Sequence, residues 1–249
     1  MKQFYEIYSQ DEKLSPLVRQ LSWTHNMIIL AKSKSDEERE FHLRLSIKEH
    51  YSKRQLEHQI DSCFYERTIL SKKPSLNSSK LPLKVASSFK DTYILDFLDL
   101  PQNHSEKDFR SALIANFKKF VLEFGSDFAF VGQEYRLSVG KHDYYIDLLF
   151  YHRELRCLVA FELKIDEFKP EYLGKVNFYL EALDRDVKKK HENPSVGVIL
   201  CKDKDKDVVE YAMNRNMSPS LVSQYKTKLI DKKLLKEKLD EFYELSNKK

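Results

Sequence analysis

Glycine is scarce: the chain of 249 residues has five, the first at Gly125. No GxGxxG or GxxxxGK[ST] can be assembled from them, which disfavours dinucleotide and P-loop phosphate chemistry. Cysteine is sparser still. Cys63, Cys157 and Cys201 are odd in number, far apart and without CxxC spacing. Cys157 and Cys201 fall in apolar, strand-like runs, which reads as buried thiols in a reducing, cytoplasmic compartment. The eight histidines show no HExxH or other zinc-ligand spacing. No apolar run of about 18 residues occurs, and the opening MKQFYEIYSQDEK has no signal-peptide core. Neither a membrane span nor a secretory leader is therefore expected.

What is present is an ordinary globular balance, with 41% apolar and 33% charged residues. The net charge of +4 permits nucleic-acid binding without demanding it. The length suits one large domain or two small ones.

Residues 1 to about 70 read as helical. Phe4, Ile7 and Tyr8 mark a first segment, and Leu17, Leu21, Trp23, Ile28 and Leu30 a second. Ser35 followed by Glu38 predicts a capping box opening EEREFHLRLSIKEH. Ser52 likewise precedes KRQLEHQIDSCFYERTIL, a helix carrying Leu56, Ile60 and Phe64 on one face. Two helices with a short break, the second entered through Lys53 and Arg54, are compatible with a helix-turn-helix DNA reader or with a plain helical hairpin. Ser71 to Lys90 is rich in Ser, Lys and Pro and reads as a linker. DTYILDFLDLP follows and Pro101 closes it, which places a domain boundary near residue 100: a helical domain over 1–100, then a second domain over 101–249.

In SEKDFRSALIANFKKFVLEF, Phe109, Leu113, Phe117, Phe120 and Phe124 make one apolar helical stripe, ended by Gly125. Glu123 lies at the edge of that stripe and is expected to reach toward a site beside the sheet. Strand-like FAFVGQEYRLSV, a turn and two apolar strands come next. A helix from Pro170 to Val187, the buried strand SVGVILC, the helix KDVVEYAMNRN, the short strand SLVSQY and an amphipathic helix over 226–245 complete the chain. Helices alternating with strands predict an α/β fold around a mixed sheet. The last helix offers either a dimer surface or a face packed on its own sheet.

The chemistry concentrates in YYIDLLFYHRELRCLVAFELK, Tyr144 to Lys164. Side chains alternate faces along a strand, so Glu162 and Lys164 share a face with Leu158 and Ala160. Asp147 interrupts the apolar Ile146 and Leu148. Charges rarely stay in such strands unless paired or bound to a metal. Two carboxylates and an ammonium on adjacent strands suit Mg²⁺, which takes one or two carboxylates plus waters and substrate phosphate. The Leu163 carbonyl would complete the shell, and Lys164 would orient or help deprotonate the attacking water. The competing reading is an ordinary ion pair between strands.

Asp147, fourteen intervening residues, then Glu162-Leu163-Lys164 resembles the PD-(D/E)XK nuclease signature, with Ile146 where the motif name has proline. FAFVGQEYRLSVG, YYIDLLFYHRELRCLVAFELK, FKPEYLGKVNFYLEALD and NPSVGVILCK look like the YhcG-type family of these nucleases. LSWTHNMIIL, LEHQIDSCFYERTILSK and KDTYILDFL resemble its helical N-terminal region. The resemblance covers essentially the whole chain, with KQFYEIY matching a point inside that N-terminal region, as if a leading segment were missing. It implies a restriction-endonuclease-like core, a Mg²⁺-dependent DNA endonuclease with Mn²⁺ able to substitute, and a link to restriction-modification or other defence. By it, Asp147, Glu162 and Lys164 take the motif positions and Glu123 that of the helix acid.

Lys175 and Tyr179 stand where RecB-like relatives carry Q-x-x-x-Y, with lysine for glutamine. Together with Lys53, Arg54, Lys141, Lys169 and Lys188 to Lys190 they are the expected DNA contacts. DNA, defence proteins and a second copy of the chain are the expected partners. The alternative is a non-catalytic nucleic-acid-binding or assembly subunit that keeps the fold.

Overall fold

The computed structural model describes residues 2–9, 11, 13–71, 85, 88–101, 103–229, 235 and 237–239. It divides into two compact units, Met1–Lys72 with Ile230–Lys249, and Lys73–Leu229. Most of the Ser/Lys/Pro stretch from Ser71 to Lys90 and most of the helix expected over 226–245 lie outside the described residues.

The first unit contains, among the described residues, helices α1 (Lys2–Tyr8), α2 (Ser15–Val18), α3 (Trp23–Lys32), α4 (Asp36–Glu49), α5 (Lys53–Asp61) and α6 (Phe64–Ser71). The caps read from sequence begin the right helices. The Ser52 hydroxyl accepts from the Gln55 N–H and the Gln55 side chain answers on Ser52, a complete capping box. Ser35 accepts from the Glu38 N–H, but the Glu38 carboxylate answers one residue early, on the Lys34 N–H. The helix expected to run on through Cys63 breaks there, at a left-handed φ of 54°. Tyr8, Ile29, Leu43, Leu56 and Ile60 form this unit's core.

The second unit is an α/β layer structure. Its described strands are β1 (Thr92–Ile94), β2 (Phe128–Val139), β3 (His142–His152), β4 (Cys157–Leu163), β5 (Val196–Cys201) and β6 (Ser220–Lys226). They form one sheet in the order β1-β6-β5-β4-β3-β2. The pairs from β1 to β4 are parallel, and β3 and β2 join antiparallel. This is the mixed sheet expected from the alternation of elements. The boundary between units falls at Lys72/Lys73 rather than near residue 100, because β1 pairs with β6 at the sheet's far edge.

Helices α7 (Glu106–Ala115) and α8 (Phe117–Phe124) cover one face, and α9 (Glu171–Ala182) and α10 (Lys206–Asn214) accompany the other. Phe109, Phe120, Phe124, Phe150 and Phe161 pack together on the first face. Leu173, Val176 and Leu180 pack on Ile146, Ala160 and Ile199 on the second. Gly197 lets α9 sit close to β5, since a Cβ there would overlap the Val176 side chain. The stripe Phe109 to Phe124 is not one helix. Asn116, at φ −105° and ψ 26°, breaks it into α7 and α8.

Candidate active site

The site begins where two strands part. The antiparallel ladder of β3 and β4 runs from His152↔Cys157 to Leu148↔Phe161 and ends there. The next residues are Asp147 and Glu162. In place of a ladder bond, the Leu163 N–H donates to Asp147 Oδ2 at 2.9 Å. The aspartate thus satisfies a strand N–H that the parting would have orphaned, and its carboxylate is fixed by the backbone of β4.

Glu162 is 1% exposed. Its Oε1 meets Lys175 Nζ at 2.6 Å and Lys164 Nζ at 3.1 Å. Its Oε2 is buried with no hydrogen-bond partner among the described residues. Burial, and then the charge of Asp147, push the Glu162 carboxyl above its ordinary pKa, while Lys175 and Lys164 pull it back. A buried carboxylate with an unmet oxygen beside a second carboxylate is costly for folding alone.

Lys164 points to the same side as Glu162, as the alternation requires. Its ammonium donates to both oxygens of Glu106, at 2.9 and 3.0 Å, and lies 5.1 Å from the Tyr172 ring centre. Burial disfavours that ammonium. The Glu106 hydrogen bonds and the Glu162 charge outweigh it and hold the pKa above the usual lysine value. The carboxylates of Glu106 and Glu162 thus favour the charged form of Lys164.

Helix α7 supplies the remaining wall. Glu106 and Arg110 are four residues apart and so share a face. Arg110 Nη1 binds Asp147 Oδ1 at 2.7 Å, and Nη2 binds Glu134 Oε1 at 2.8 Å. Ser105 caps this helix with a full capping box to Asp108, which fixes its first turn and hence Glu106.

Two family matches divide the chain. Residues 86–240 match the YhcG PDDEXK nuclease domain, and residues 1–67 match the DUF1016 N-terminal domain. The chain belongs to the YhcG PDDEXK nuclease family. A curated relative from Escherichia coli (strain K12), named "Putative nuclease YhcG", is 37% identical over 211 residues. The alignment takes in 83% of this chain and 56% of that protein's length. Two solved structures overlap about half of the chain, each with a TM-score of 0.33. One is a repair endonuclease from Pyrococcus abyssi, at 11% identity over 52% of this chain and 49% of that one. The other, titled as an EndoMS–dsDNA2 complex, stands at 12% over 51% and 45%. At that overlap neither carries an argument about this chain.

The residues that resemble the family signature meet around the end of β4: Glu162 pairs with Lys164 at 3.1 Å, and Asp147 accepts from the N–H of Leu163, which lies between them. Glu123 does not join them. It is 2% exposed, and its Oε1 accepts from the Ile94 N–H and from Lys90, both at 3.1 Å. It holds β1 to α8. The break at Asn116 is the cause, since the angle reckoned along one continuous helix does not survive it. The helix carboxylate that Lys164 meets is Glu106, which the sequence does not single out, because an acid in a first helical turn is commonplace.

Tyr179 is also displaced from its expected role. It is 2% exposed and donates to the Tyr145 carbonyl at 2.8 Å, so it packs α9 on β3 and is closed to nucleic acid. Lys175 faces Glu162 rather than open solvent alone. Lys141 is exposed at the β2–β3 turn, Lys53 and Arg54 at the start of α5. Lys169 is exposed and paired with Asp166 at 2.8 Å. No helix among the described residues is long and apolar enough to cross a membrane.

Among the described residues, no group of three or more His, Cys, Asp and Glu side chains could hold a metal. Asp147 and Glu162 offer hard carboxylate oxygens of the kind that divalent cations take. The unmet Glu162 Oε2 fits such an ion.

Proposed function

We propose that the chain is a Mg²⁺-dependent endonuclease that hydrolyses DNA phosphodiester bonds, with Mn²⁺ able to substitute, and that it acts in the cytoplasm in restriction or other defence against foreign DNA. The observation that carries this reading is the convergence of Asp147 and Glu162 where β3 and β4 part, with Lys164 beside them. Such a parting opens backbone oxygen as well. A strand residue projects its N–H and C=O to the same side. The Leu163 N–H reaches Asp147, so the Leu163 carbonyl faces that side too.

Asp147, Glu162 and the Leu163 carbonyl would hold the ion. Bound there, Mg²⁺ supplies charge neutralisation and a lowered pKa for its water. The rest falls to the protein. Glu106 clamps Lys164 through two hydrogen bonds, so the ammonium is presented at a fixed point. From there it donates to the attacking water or to a phosphate oxygen, and it steadies negative charge developing on phosphorus. Lys175 screens Glu162 and offsets part of the penalty that burial and the Asp147 charge place on its ionised form. Exposed Lys53, Arg54, Lys141 and Lys169 would neutralise phosphates along the duplex, which makes binding weaken steeply with salt. A second copy of the chain and other defence proteins are the proposed partners.

The test is cleavage of supercoiled and linear DNA in Mg²⁺ and in Mn²⁺ by the wild type, Asp147→Ala and Lys164→Ala. Each variant is expected to lose about two to three orders of magnitude in rate. Equal cleavage by all three proteins overturns the assignment.

A further inference from the structure

Among the described residues, Arg110 is the one cation that touches Asp147. Both oxygens of that aspartate are engaged, Oδ2 by the Leu163 N–H and Oδ1 by Arg110. The first donor is fixed in the backbone of β4. An incoming cation at Asp147 Oδ1 therefore competes with the Arg110 charge for that oxygen.

The fork has somewhere to stay. Its second nitrogen rests on Glu134, an exposed residue with a left-handed φ of 45° in the middle of β2. A non-glycine residue rarely adopts that conformation unless its surroundings hold it there. Here it sits next to the bulge between Phe130 and Gly132, and its side chain holds Arg110. Released from Asp147, the guanidinium stays tethered with one N–H edge free.

Charge points the same way. Asp147, Glu162, Glu106 and Glu134 meet Arg110, Lys164 and Lys175, one more carboxylate than cations. A divalent ion turns that deficit into a surplus of one positive charge, which a phosphodiester matches. Among the three cations, the planar guanidinium is the one shaped to take two phosphate oxygens at once.

We propose that Arg110 is a substrate-phosphate ligand, parked on Asp147 until a divalent ion takes that carboxylate and anchored throughout by Glu134. This rests on the nuclease reading above. It makes Arg110 a competitor of the metal and a partner of the substrate, two roles that pull measurements in opposite directions.

The experiment uses the full chain as wild type, Arg110→Ala and Arg110→Gln, with folding checked by circular dichroism. Mn²⁺ affinity is measured by titration calorimetry without DNA. Removal of a charged hydrogen bond to Asp147 should tighten Mn²⁺ binding about tenfold. In the same variants, Mn²⁺-supported cleavage should fall about a hundredfold. The salt slope of duplex binding in Ca²⁺ should drop by about one phosphate contact. A merely structural arginine would weaken or leave unchanged the Mn²⁺ affinity, and that result overturns the proposal. So does tightened Mn²⁺ binding with wild-type cleavage. Should Arg110→Ala not fold, Arg110→Gln carries the same comparison, keeping much of the side chain without its charge. Cleavage by the wild type but not by Asp147→Ala keeps the nuclease reading standing even if Arg110 fails these tests. No Mn²⁺ binding by any of the proteins removes both.

Discussion

Exchanging the roles of two glutamates tests the geometry of the site more sharply than deleting the motif residues. Glu106 and Glu123 lie on consecutive helices, and only Glu106 touches Lys164. The Glu106 side chain is 43% exposed, so its ion pair is screened and adds no more than about 1 kcal/mol to stability. Lys164 keeps Glu162 at 3.1 Å when Glu106 is removed, which limits the loss further. Its effect on rate should be larger. Without the clamp the ammonium is free to swing over distances near 1 Å, and misplacement of that size costs on the order of a hundredfold in rate. Glu106→Ala is thus expected to fold almost normally and cut poorly.

Glu123→Ala should do the reverse. That carboxylate is buried, and its loss removes the acceptor of the Ile94 N–H and one ion pair of Lys90. An orphaned buried donor costs about 1–3 kcal/mol and a broken buried pair about 3–5. Lys90 is 17% exposed and can partly rehydrate, so about 3 kcal/mol is expected in all. Urea unfolding, with hydrogen exchange read in β1 and β5, measures the stability of the second unit. Plasmid cleavage at a urea-free temperature where both variants are folded measures the rate. Lys164, held above its ordinary pKa of 10.5, stays protonated throughout the neutral range. The stability it gains from Glu106 is present below 10.5 and lost only as pH rises through the raised value, so the gap between wild type and Glu106→Ala should be flat from about pH 6 to 9. A folded Glu123→Ala that has lost cleavage, beside a Glu106→Ala with wild-type rate, would refute this placement of the helix acid.

Three further outcomes follow from the same contacts. Lys175→Ala should lower cleavage about a hundredfold by removing the 2.6 Å partner of Glu162, whereas Lys175→Gln, which can still donate to that oxygen, should stay within about tenfold of wild type; equal rates in the two variants would show that no donor is needed there. Tyr179→Phe should cost about 1 kcal/mol through the lost bond to the Tyr145 carbonyl and leave the salt dependence of DNA binding untouched, as a titration against ionic strength would show. In the first unit, burial lowers the His42 pKa from 6.5 to about 4, so the folded unit resists the proton that the unfolded chain takes up. Stability should be full above pH 6.5 and fall as pH drops toward 4, by about 3 kcal/mol in all, and His42→Leu should flatten that slope in urea unfolding followed through Trp23.

What the sequence reveals and conceals here has a single physical origin. Period-two alternation is rigid over a few residues, so the shared face of Glu162 and Lys164 is legible, and an aspartate among apolar neighbours announces itself. The long apolar runs of β3, β4 and β5 and the caps at Ser35 and Ser52 are local signals of the same kind. The helical phase of Glu123 is not local. It depends on every residue back to Phe109 keeping one axis, and Asn116 alone resets it. Arg110 and Glu106 are invisible for a related reason. Each is an ordinary residue for an exposed amphipathic helix, and only the folded approach of α7 to the parting strands gives them a carboxylate and an ammonium to hold. The strand β1, three residues long, has too little alternation to declare itself, and so the domain boundary was read past it. If that account is right, a substitution at Asn116 should disturb the site more than its exposure and polarity suggest. A straight helix from Glu106 to Phe124 cannot keep both the Glu106–Lys164 and the Glu123–Ile94 contacts, and the side that yields would show which contact the fold values more.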